Sequence, residues 1–289
     1  MSSIATITDP SMLEFHRFRG SDSMVFWRLG LRKFSKFDVG DLVFFIDRRH
    51  RHPYTQEKGI IGFGRCFSIS NKPLHKAWQI YEQKLGYDNE DHFQEAIRYY
   101  RKDDDLLPKK IQCIELEHIV LLQYPIFLSE VGFEMSERLE SFTYLEKGKR
   151  DITPDVLNLA KNMGIDPWFD MQNKNISMDR FEMFSQEQAI RKLLSFLPKI
   201  VTLKDANIIK KYTTGVYFEG VFYSFESKKL SLLYTNINDI ATLYAIYGIQ
   251  TYLESVLSDY QIESILYLKN PSKTIQQVLQ DLNLSHVEI

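Results

Sequence analysis

The chain has 289 residues, which is enough for two domains of ordinary size, each with its own core. Its apolar fraction of 44% and aromatic fraction of 13% are those of a folded globular protein and exclude a disordered chain. A formal net charge of −2 excludes a general excess of positive charge, so any affinity for nucleic acid has to come from a local patch.

Cysteines and termini indicate the compartment. Cys66 and Cys113 lie apart in apolar runs, which predicts two reduced, buried thiols and no metal cluster. The first residues contain no apolar core of signal-peptide length, and no run is long enough to span a bilayer. We therefore expect a cytoplasmic protein without a membrane partner.

The first half of the chain alternates short strands with two helices. Runs rich in Val, Ile and Phe, bounded by glycine and charged residues, predict strands, and a proline at the start with a glycine at the end predicts a helix. These patterns predict strands at 23–30, 40–47, 59–69, 110–122 and 140–147, and helices at 73–86 and 89–104. Without a βαβ rhythm, they favour an α+β domain over residues 1–150, built as a strongly bent β-barrel with inserted helices.

The second half has a different rhythm. Residues 151–184 are rich in proline and asparagine and are interpreted as a linker or boundary segment. Over 185–289 the pattern is helix, two or three strands, helix, strand, helix, which predicts an α/β domain around a mixed sheet. The long helix expected at 237–259 is apolar on most of its circumference and is predicted to be buried.

A cationic loop follows the second predicted strand. Such a loop suits phosphate contacts, which position a protein on a duplex without reading its sequence. The alternative is a solvated hairpin tip. The candidate residues are Arg48, Arg49, His50, Arg51 and His52.

Aromatic side chains at strand ends are the second candidate feature. At the mouth of a small barrel, Trp27 and Phe45 could stack on an unpaired or flipped base. The alternative is that both belong to the core, as alternation along a strand requires for at least half of such residues. A basic loop beside an aromatic mouth is a stronger nucleic-acid signal than either feature alone.

Spread-out motifs between residues 23 and 150 resemble a known family. They are Phe26–Trp27 before the turn at Gly40–Asp41, the Gly-x-Gly strand of Gly62 and Gly64, the helix with Pro73, Ala77 and Trp78, and the "CIEL" strand from Cys113 to Leu116. This half resembles the PUA-like domain, related to the EVE and YTH readers, at the N-terminus of bacterial modification-dependent HNH restriction endonucleases.

The resemblance implies a barrel that recognises a modified base in DNA, commonly by turning it out into an aromatic pocket. It also implies a place in a restriction or anti-phage defence system. Arg28 departs from the family, where many relatives carry proline or a small residue after the tryptophan, and this difference concerns which modification is read.

The second half does not continue the family pattern. An HNH site needs two histidines, and the C-terminal half contains only His286. The order of elements is closer to the PD-(D/E)xK nucleases, in which acidic residues and a lysine on adjacent strands bind Mg²⁺ and activate water. Glu226 and Lys228 supply the Glu-x-Lys, with Glu219 as a substitute for the missing aspartate and, with Glu226, as a metal ligand.

Three hypotheses follow. The protein is a reader of modified duplex DNA that also cuts DNA with Mg²⁺, as a modification-dependent endonuclease. Alternatively, it is a reader without chemistry of its own, whose second domain recruits a separate effector subunit or forms a homodimer. The third hypothesis is a module that binds modified RNA.

Overall fold

The computed structural model describes residues 2–101, 107–136, 139–148, 150–174, 177–226 and 228–289. The chain divides into two compact units, Met1–Gln186 and Glu187–Ile289. Both mix helices with sheets, so the chain is an α+β protein, as predicted. Among the described residues, no helix is long and apolar enough to cross a membrane.

The first unit contains eight strands and five complete helices among its described residues, and a sixth helix runs across the boundary. The strands are β1 (Ile4–Ile7), β2 (Ser23–Arg28), β3 (Leu42–Arg51), β4 (Lys58–Pro73), β5 (Lys110–Ile126), β6 (Phe142–Tyr144), β7 (Glu146–Lys147) and β8 (Arg150–Asp151). The helices are α1 (Pro10–Arg19), α2 (Leu74–Tyr81), α3 (Glu90–Arg101), α4 (Thr153–Met163), α5 (Pro167–Gln172) and α6 (Ser177–Leu194). Sequence patterns predicted most of these strands, but not β1 or α1, and the end of the helix expected at 89–104 lies outside the described residues.

Six of the strands form one curled sheet in the order β2-β5-β4-β3-β1-β6. Strand β1 runs parallel to β3, and the other neighbours are antiparallel. The two outer strands, β2 and β6, share no backbone ladder in the described part of the chain. The expected barrel is therefore an open sheet with a seam between β2 and β6.

Both faces of this sheet are covered. Phe45 joins the cluster formed with α1, α2 and α3, whereas its neighbour Phe44 joins the opposite cluster with α4 and α6. Burial on two faces explains why β3 begins with an unbroken run of six buried residues.

Residues 151–184 belong to the first unit and are not a linker. The ring of Phe63 on β4 lies 5.2 Å from that of Phe181 and 5.7 Å from that of Phe184, both on α6. Val156 and Leu157 of α4 are buried in the same cluster. Pro154 and Pro167 lie in the first turns of α4 and α5, and Asn173 ends α5, so these residues mark the ends of short packed helices and not a linker.

The second unit is built on a five-stranded mixed sheet in the order β13-β12-β11-β10-β9. The elements that follow α6 are α7 (Leu203–Ile209), β9 (Val216–Phe218), β10 (Val221–Glu226), β11 (Lys229–Thr235), α8 (Ile240–Val256), β12 (Gln261–Leu268), α9 (Lys273–Asp281) and β13 (Ser285–Glu288). Strands β11, β12 and β13 are parallel, whereas β9, β10 and β11 are successively antiparallel.

Helices α8 and α9 are the crossovers between the parallel strands. Because such crossovers are right-handed and step in one direction, both helices lie on the same face of the sheet, where they contact each other. Of α8, only Leu243, Ile246, Ile249 and Leu253 are buried. The expectation that this helix is buried on most of its circumference is therefore wrong, because it lies in an outer layer.

Gly62 on β4 lies where the backbone of the neighbouring strand β5 approaches closely. A Cβ at Gly62 would lie 2.6 Å from the carbonyl oxygen of Val120, which belongs to the neighbouring backbone. We expect Gly62→Ala to lower the free energy of unfolding of the first unit by roughly 1–3 kcal/mol, because backbone cannot move aside as a side chain can. Urea unfolding followed by far-UV circular dichroism measures this loss.

Gly64→Ala on the same strand is the matched control. Its Cβ would meet first the δ-methyl of Ile119 at 2.5 Å, which can rotate, and the next atom at 3.4 Å. Equal losses of the free energy of unfolding in the two variants would show that contact with the backbone of Val120 is not the cause of the loss at Gly62.

Candidate functional site

A cleft of about 220 Å³ lies at the open seam of the first sheet. One wall is the end of β2, with Phe26, Trp27 and Arg28, and the other includes Thr6 of β1 and Ser141 just before β6. The cleft therefore occupies the gap that a closed barrel would fill with backbone hydrogen bonds.

Trp27 is a fixed wall of this cleft. Only 7% of the residue is exposed, and its ring contacts Phe93 and Tyr100 edge to face, with centroid distances of 5.7 and 6.0 Å. The buried indole N–H has no acceptor within hydrogen-bond geometry among the described residues, although the Tyr87 hydroxyl is close enough to interact with it. Trp27 was expected either to stack on a base or to belong to the core. Most of its ring lies in the core, and a small part faces the cleft.

Asp9 and Tyr100 form the polar end of the cleft, and Tyr87 is hydrogen-bonded to Asp9. The Tyr87 hydroxyl donates to Asp9 Oδ2 at 2.5 Å, and Asp9 Oδ1 accepts from the backbone N–H of Ser11 and caps α1. Burial raises the pKa of Tyr100 to about 12, the charge of Asp9 adds to the rise and Arg48 opposes it. At neutral pH, Tyr100 is therefore a neutral hydroxyl that can donate or accept a hydrogen bond.

Arg28 bridges the seam. Its guanidinium carbon lies 4.6 Å from the ring centre of Phe34 and 5.0 Å from that of Phe142 on β6. Burial lowers the pKa of the guanidinium, but arginine stays protonated in proteins. Its Nη1 is buried without a hydrogen-bond partner in the described structure, and a Cβ at Gly30 would lie 2.8 Å from Nη2. Aromatic rings hold the charge at the cleft wall in place of a carboxylate.

The residues predicted as a cationic loop belong to β3 as far as Arg51, because this strand runs past its expected end at residue 47. Two of them contact Asp47, the last buried residue of β3. Arg49 donates to Asp47 Oδ2 from Nη2 at 2.8 Å and from Nε at 3.0 Å, and its Nη2 also lies 3.4 Å from Glu14 Oε1. His50 Nδ1 lies 3.2 Å from Asp47 Oδ2. These side chains neutralise a carboxylate that is fully buried, which leaves them poorly placed to bind an external anion.

Two further residues of the loop hold its own backbone. Arg51 Nη1 donates to the carbonyl oxygen of Gln56 at 3.0 Å. His52 Nδ1 accepts from the backbone N–H groups of Tyr54 and Thr55, and its ring packs edge to face on Phe127. His52 is thus a turn-forming residue, whereas the exposed Arg51 makes no ion pair within the described ranges of the chain.

Arg48 is the residue of the loop that faces the cleft. It is exposed, lines the cleft with Trp27 and Tyr100, and makes no hydrogen bond or ion pair with any residue that the structure describes. Burial lowers the pKa of nearby Lys58, and the positive charges of Arg48 and Arg51 lower it further. We call the two exposed side chains, Arg48 and Arg51, the cationic rim, whereas Lys58 is buried and donates from Nζ to the carbonyl oxygen of Leu139 at 2.8 Å.

The remaining sequence-based candidate of the first unit, Phe45, is fully buried in the core and does not line the cleft. Sequence patterns did not single out Asp9, Tyr100 or Ser141. Asp9 could have been found as an N-cap immediately before a proline, but the other two carry no signal that distinguishes them from ordinary surface residues.

Glu219, Glu226 and Lys228 in the second unit do not form a metal site. Glu219 lies in the turn before β10 and Glu226 at the end of that strand, so a rise of about 3.3 Å per residue places them roughly 20 Å apart. Lys228 lies in the turn after Glu226. The two carboxylates therefore cannot hold one Mg²⁺ ion, and the described residues contain no group of three acidic, histidine or cysteine side chains that could.

Arg49→Ala tests the role of Asp47. Burial raises the pKa of Asp47, but hydrogen bonds from Arg49 and the charges of Arg49 and His50 lower it more, so the pKa in the folded chain is below its usual value. Such a carboxylate stabilises the fold above its usual pKa, and this stabilisation is lost as the pH falls through the folded-state pKa. We expect Arg49→Ala to lower the free energy of unfolding by about 2 kcal/mol at pH 7.

This difference should shrink toward pH 3, because protonation of Asp47 removes the buried charge in the variant and the ion pair in the original chain. Urea unfolding over a series of pH values measures it. Arg48→Ala, which breaks no ion pair, is the control, and a difference that does not depend on pH would contradict the assignment.

No protein-family model matches the sequence, and comparison with curated proteins finds no match. Solved structures similar to the chain include two point mutants of ZmASCH from Zymomonas mobilis. One is 16% identical, with a TM-score of 0.37, over 55% of this chain and 99% of that chain. The other is 15% identical, with a TM-score of 0.38, over 55% and 96%. At TM-scores below 0.5, these likenesses assign neither fold nor function, so the function rests on the geometry of the cleft.

Proposed function

We propose that the protein binds nucleic acid through its first unit and takes a single base, a modified base turned out of duplex DNA, into the seam cleft. The observation that carries this proposal is the position of Arg48, which lines the same cleft as Trp27 and has no partner among the described residues. Asp9 and Glu140 also line the cleft, but Arg48 makes no ion pair with either, and such a cation beside an aromatic wall suits a phosphate next to a base.

The size of the cleft agrees with one base. Pockets for drug-sized ligands span about 300–1,000 Å³, so the present cleft is small for a dinucleotide. Its walls are apolar at Phe26 and Trp27, which offers a surface for the ring of a base. They are polar at Asp9 and Tyr100, which offers hydrogen-bonding groups for the edge of that base. Reading a base inside such a cleft requires that the base leave the stack.

The second unit is proposed to contribute no cleavage, because its candidate carboxylates lie at opposite ends of β10. The protein is then a reader. In the restriction or anti-phage setting that the resemblance implies, a separate effector subunit would supply the chemistry. RNA carrying modified bases is the alternative ligand, and the binding experiments below compare its affinity with that of DNA.

Arg48→Gln tests the rim. We expect it to weaken binding to all duplexes alike and to reduce the slope of log K against log salt by about 0.9, the value for one lost phosphate contact. Arg49→Gln is the matched control, since the adjacent arginine loses the same charge but is held by Asp47. Fluorescence anisotropy with labelled duplexes over a salt series measures both slopes. Equal changes in the two variants would show that the rim does not touch the phosphates.

Ser141→Phe tests the cleft. The Ser141 side chain is exposed at the cleft, so a phenyl ring can fill the space without entering the core. We expect this variant to lose its preference for one modified base while retaining binding to plain DNA, because the rim is unchanged.

The measurement is a panel of duplexes with different modified bases, with plain duplex, single-stranded DNA and RNA of the same sequence. Thr55→Phe, at the exposed tip of the neighbouring loop, is the control. Preserved selectivity in Ser141→Phe would place base recognition elsewhere, and tighter binding of modified RNA than of any DNA would replace DNA as the ligand.

A further inference from the structure

Helix α8 of the second unit has an uncharged, exposed outer face. From Ile240 to Leu253 the sequence contains no charged residue, although half of the helix surface faces solvent. Tyr244 is 56% exposed, Tyr252 49% and Val256 46%. A contiguous apolar surface of this kind is uncommon on a soluble protein that has no partner there.

The exposed residues form one stripe along the helix. At about 100° per residue, the stripe is centred on Gly248 and extends roughly 80° to either side, opposite the buried residues. We call it the α8 face, and its nine exposed members are Ile240, Ala241, Tyr244, Ala245, Gly248, Thr251, Tyr252, Ser255 and Val256.

The order of residues on the α8 face is nearly the same in both directions. Reading outward from Gly248, each step meets a residue of similar size on both sides. In an antiparallel pair of α8 helices with a two-fold axis at Gly248, Ala245 faces Thr251, Tyr244 faces Tyr252, Ala241 faces Ser255 and Ile240 faces Val256. In this arrangement Tyr244 packs on Tyr252 and Ile240 on Val256, so the face matches its own copy across the axis, as a two-fold interface has to.

Gly248 gives a second reason for a partner helix. Glycine inside a helix is about 1 kcal/mol less favourable than alanine. A Cβ at Gly248 would meet no described atom within 4 Å, so no contact within the chain requires a glycine here. Close approach of a second helix at this point would require one.

Charge and area also fit a second copy. The helix carries one charged residue, Glu254, which lies about 120° around the helix from Gly248 and therefore outside the α8 face. The α8 face carries two tyrosines at about half exposure, Tyr244 and Tyr252, and a fully covered aromatic side chain buries about 150–250 Å². A pair of these faces is therefore a small interface, which agrees with association at micromolar concentrations.

We propose that the α8 face is the interface of a homodimer, in which two copies of this chain pack their α8 helices antiparallel across a two-fold axis at Gly248. This inference is independent of the proposed ligand of the first unit. The dimer would carry two clefts, so a ligand with two sites could bind both copies.

Sedimentation velocity of the full chain tests the proposal. We expect a dimer at micromolar concentrations, and we expect Gly248→Arg to raise its dissociation constant at least about 30-fold, because an unpaired charge at the centre of an interface is strongly unfavourable. Glu254→Arg is the matched control, since the same side chain lies about 120° around the helix from Gly248 and should leave the dimer intact.

Gly248→Cys gives an independent test that does not depend on weakening the dimer. The two-fold axis brings the two copies of this position together, and a disulfide needs Cα atoms about 4.4–6.8 Å apart, so mild oxidation should link two chains. Glu254→Cys should not link, and the native Cys66 and Cys113 are both buried.

A chain that stays monomeric at these concentrations and does not cross-link through Gly248→Cys would overturn the proposal and leave the face to a different protein. A dimer that survives Gly248→Arg would overturn it as well, because its interface would lie elsewhere.

Discussion

The seam between β2 and β6 is the constraint on which the rest of the first unit depends. A closed barrel would join these strands by backbone hydrogen bonds, but here the described strands meet through side chains. Arg28 lies between the rings of Phe34 and Phe142 and holds the two edges without pairing them. Because the edges stay apart, a cleft remains that is large enough for one base, and its walls are strand ends that the core fixes in place.

One buried carboxylate determines which positive charges near the cleft are paired. Asp47 ends the buried part of β3, and a buried charge needs partners. Arg49 and His50 supply them, so the two side chains that look most available in the sequence stabilise the fold. Arg48 has no such partner among the residues that the structure describes, and for this reason we propose it as the contact to an external anion. Adjacent arginines thus have different functions because only one reaches Asp47.

The second unit shows how a helix can be apolar and still exposed. The hydrophobic periodicity of α8 correctly indicates a helix that packs on a sheet, and the buried positions Leu243, Ile246, Ile249 and Leu253 do so. Hydrophobic periodicity shows whether the outer face of the helix is polar, but it does not show which surface packs against that face. The nearly palindromic order of exposed residues about Gly248 supports the proposed packing against the same face of a second copy. A contact between two chains cannot be read from the periodicity of one chain.

The sequence by itself determined most of the elements, because β-branched and aromatic runs bounded by glycine, and helices bounded by proline and glycine, are local signals. It also indicated a cationic loop and an aromatic strand end in the same half of the chain. Only the tertiary structure decided that residues 151–184 complete the first core, that Phe45 is core while Trp27 borders a cleft, and that Glu219 and Glu226 lie at opposite ends of β10. Each of these outcomes depends on which side chain reaches a neighbour distant in sequence, and composition and spacing carry no information on that distance.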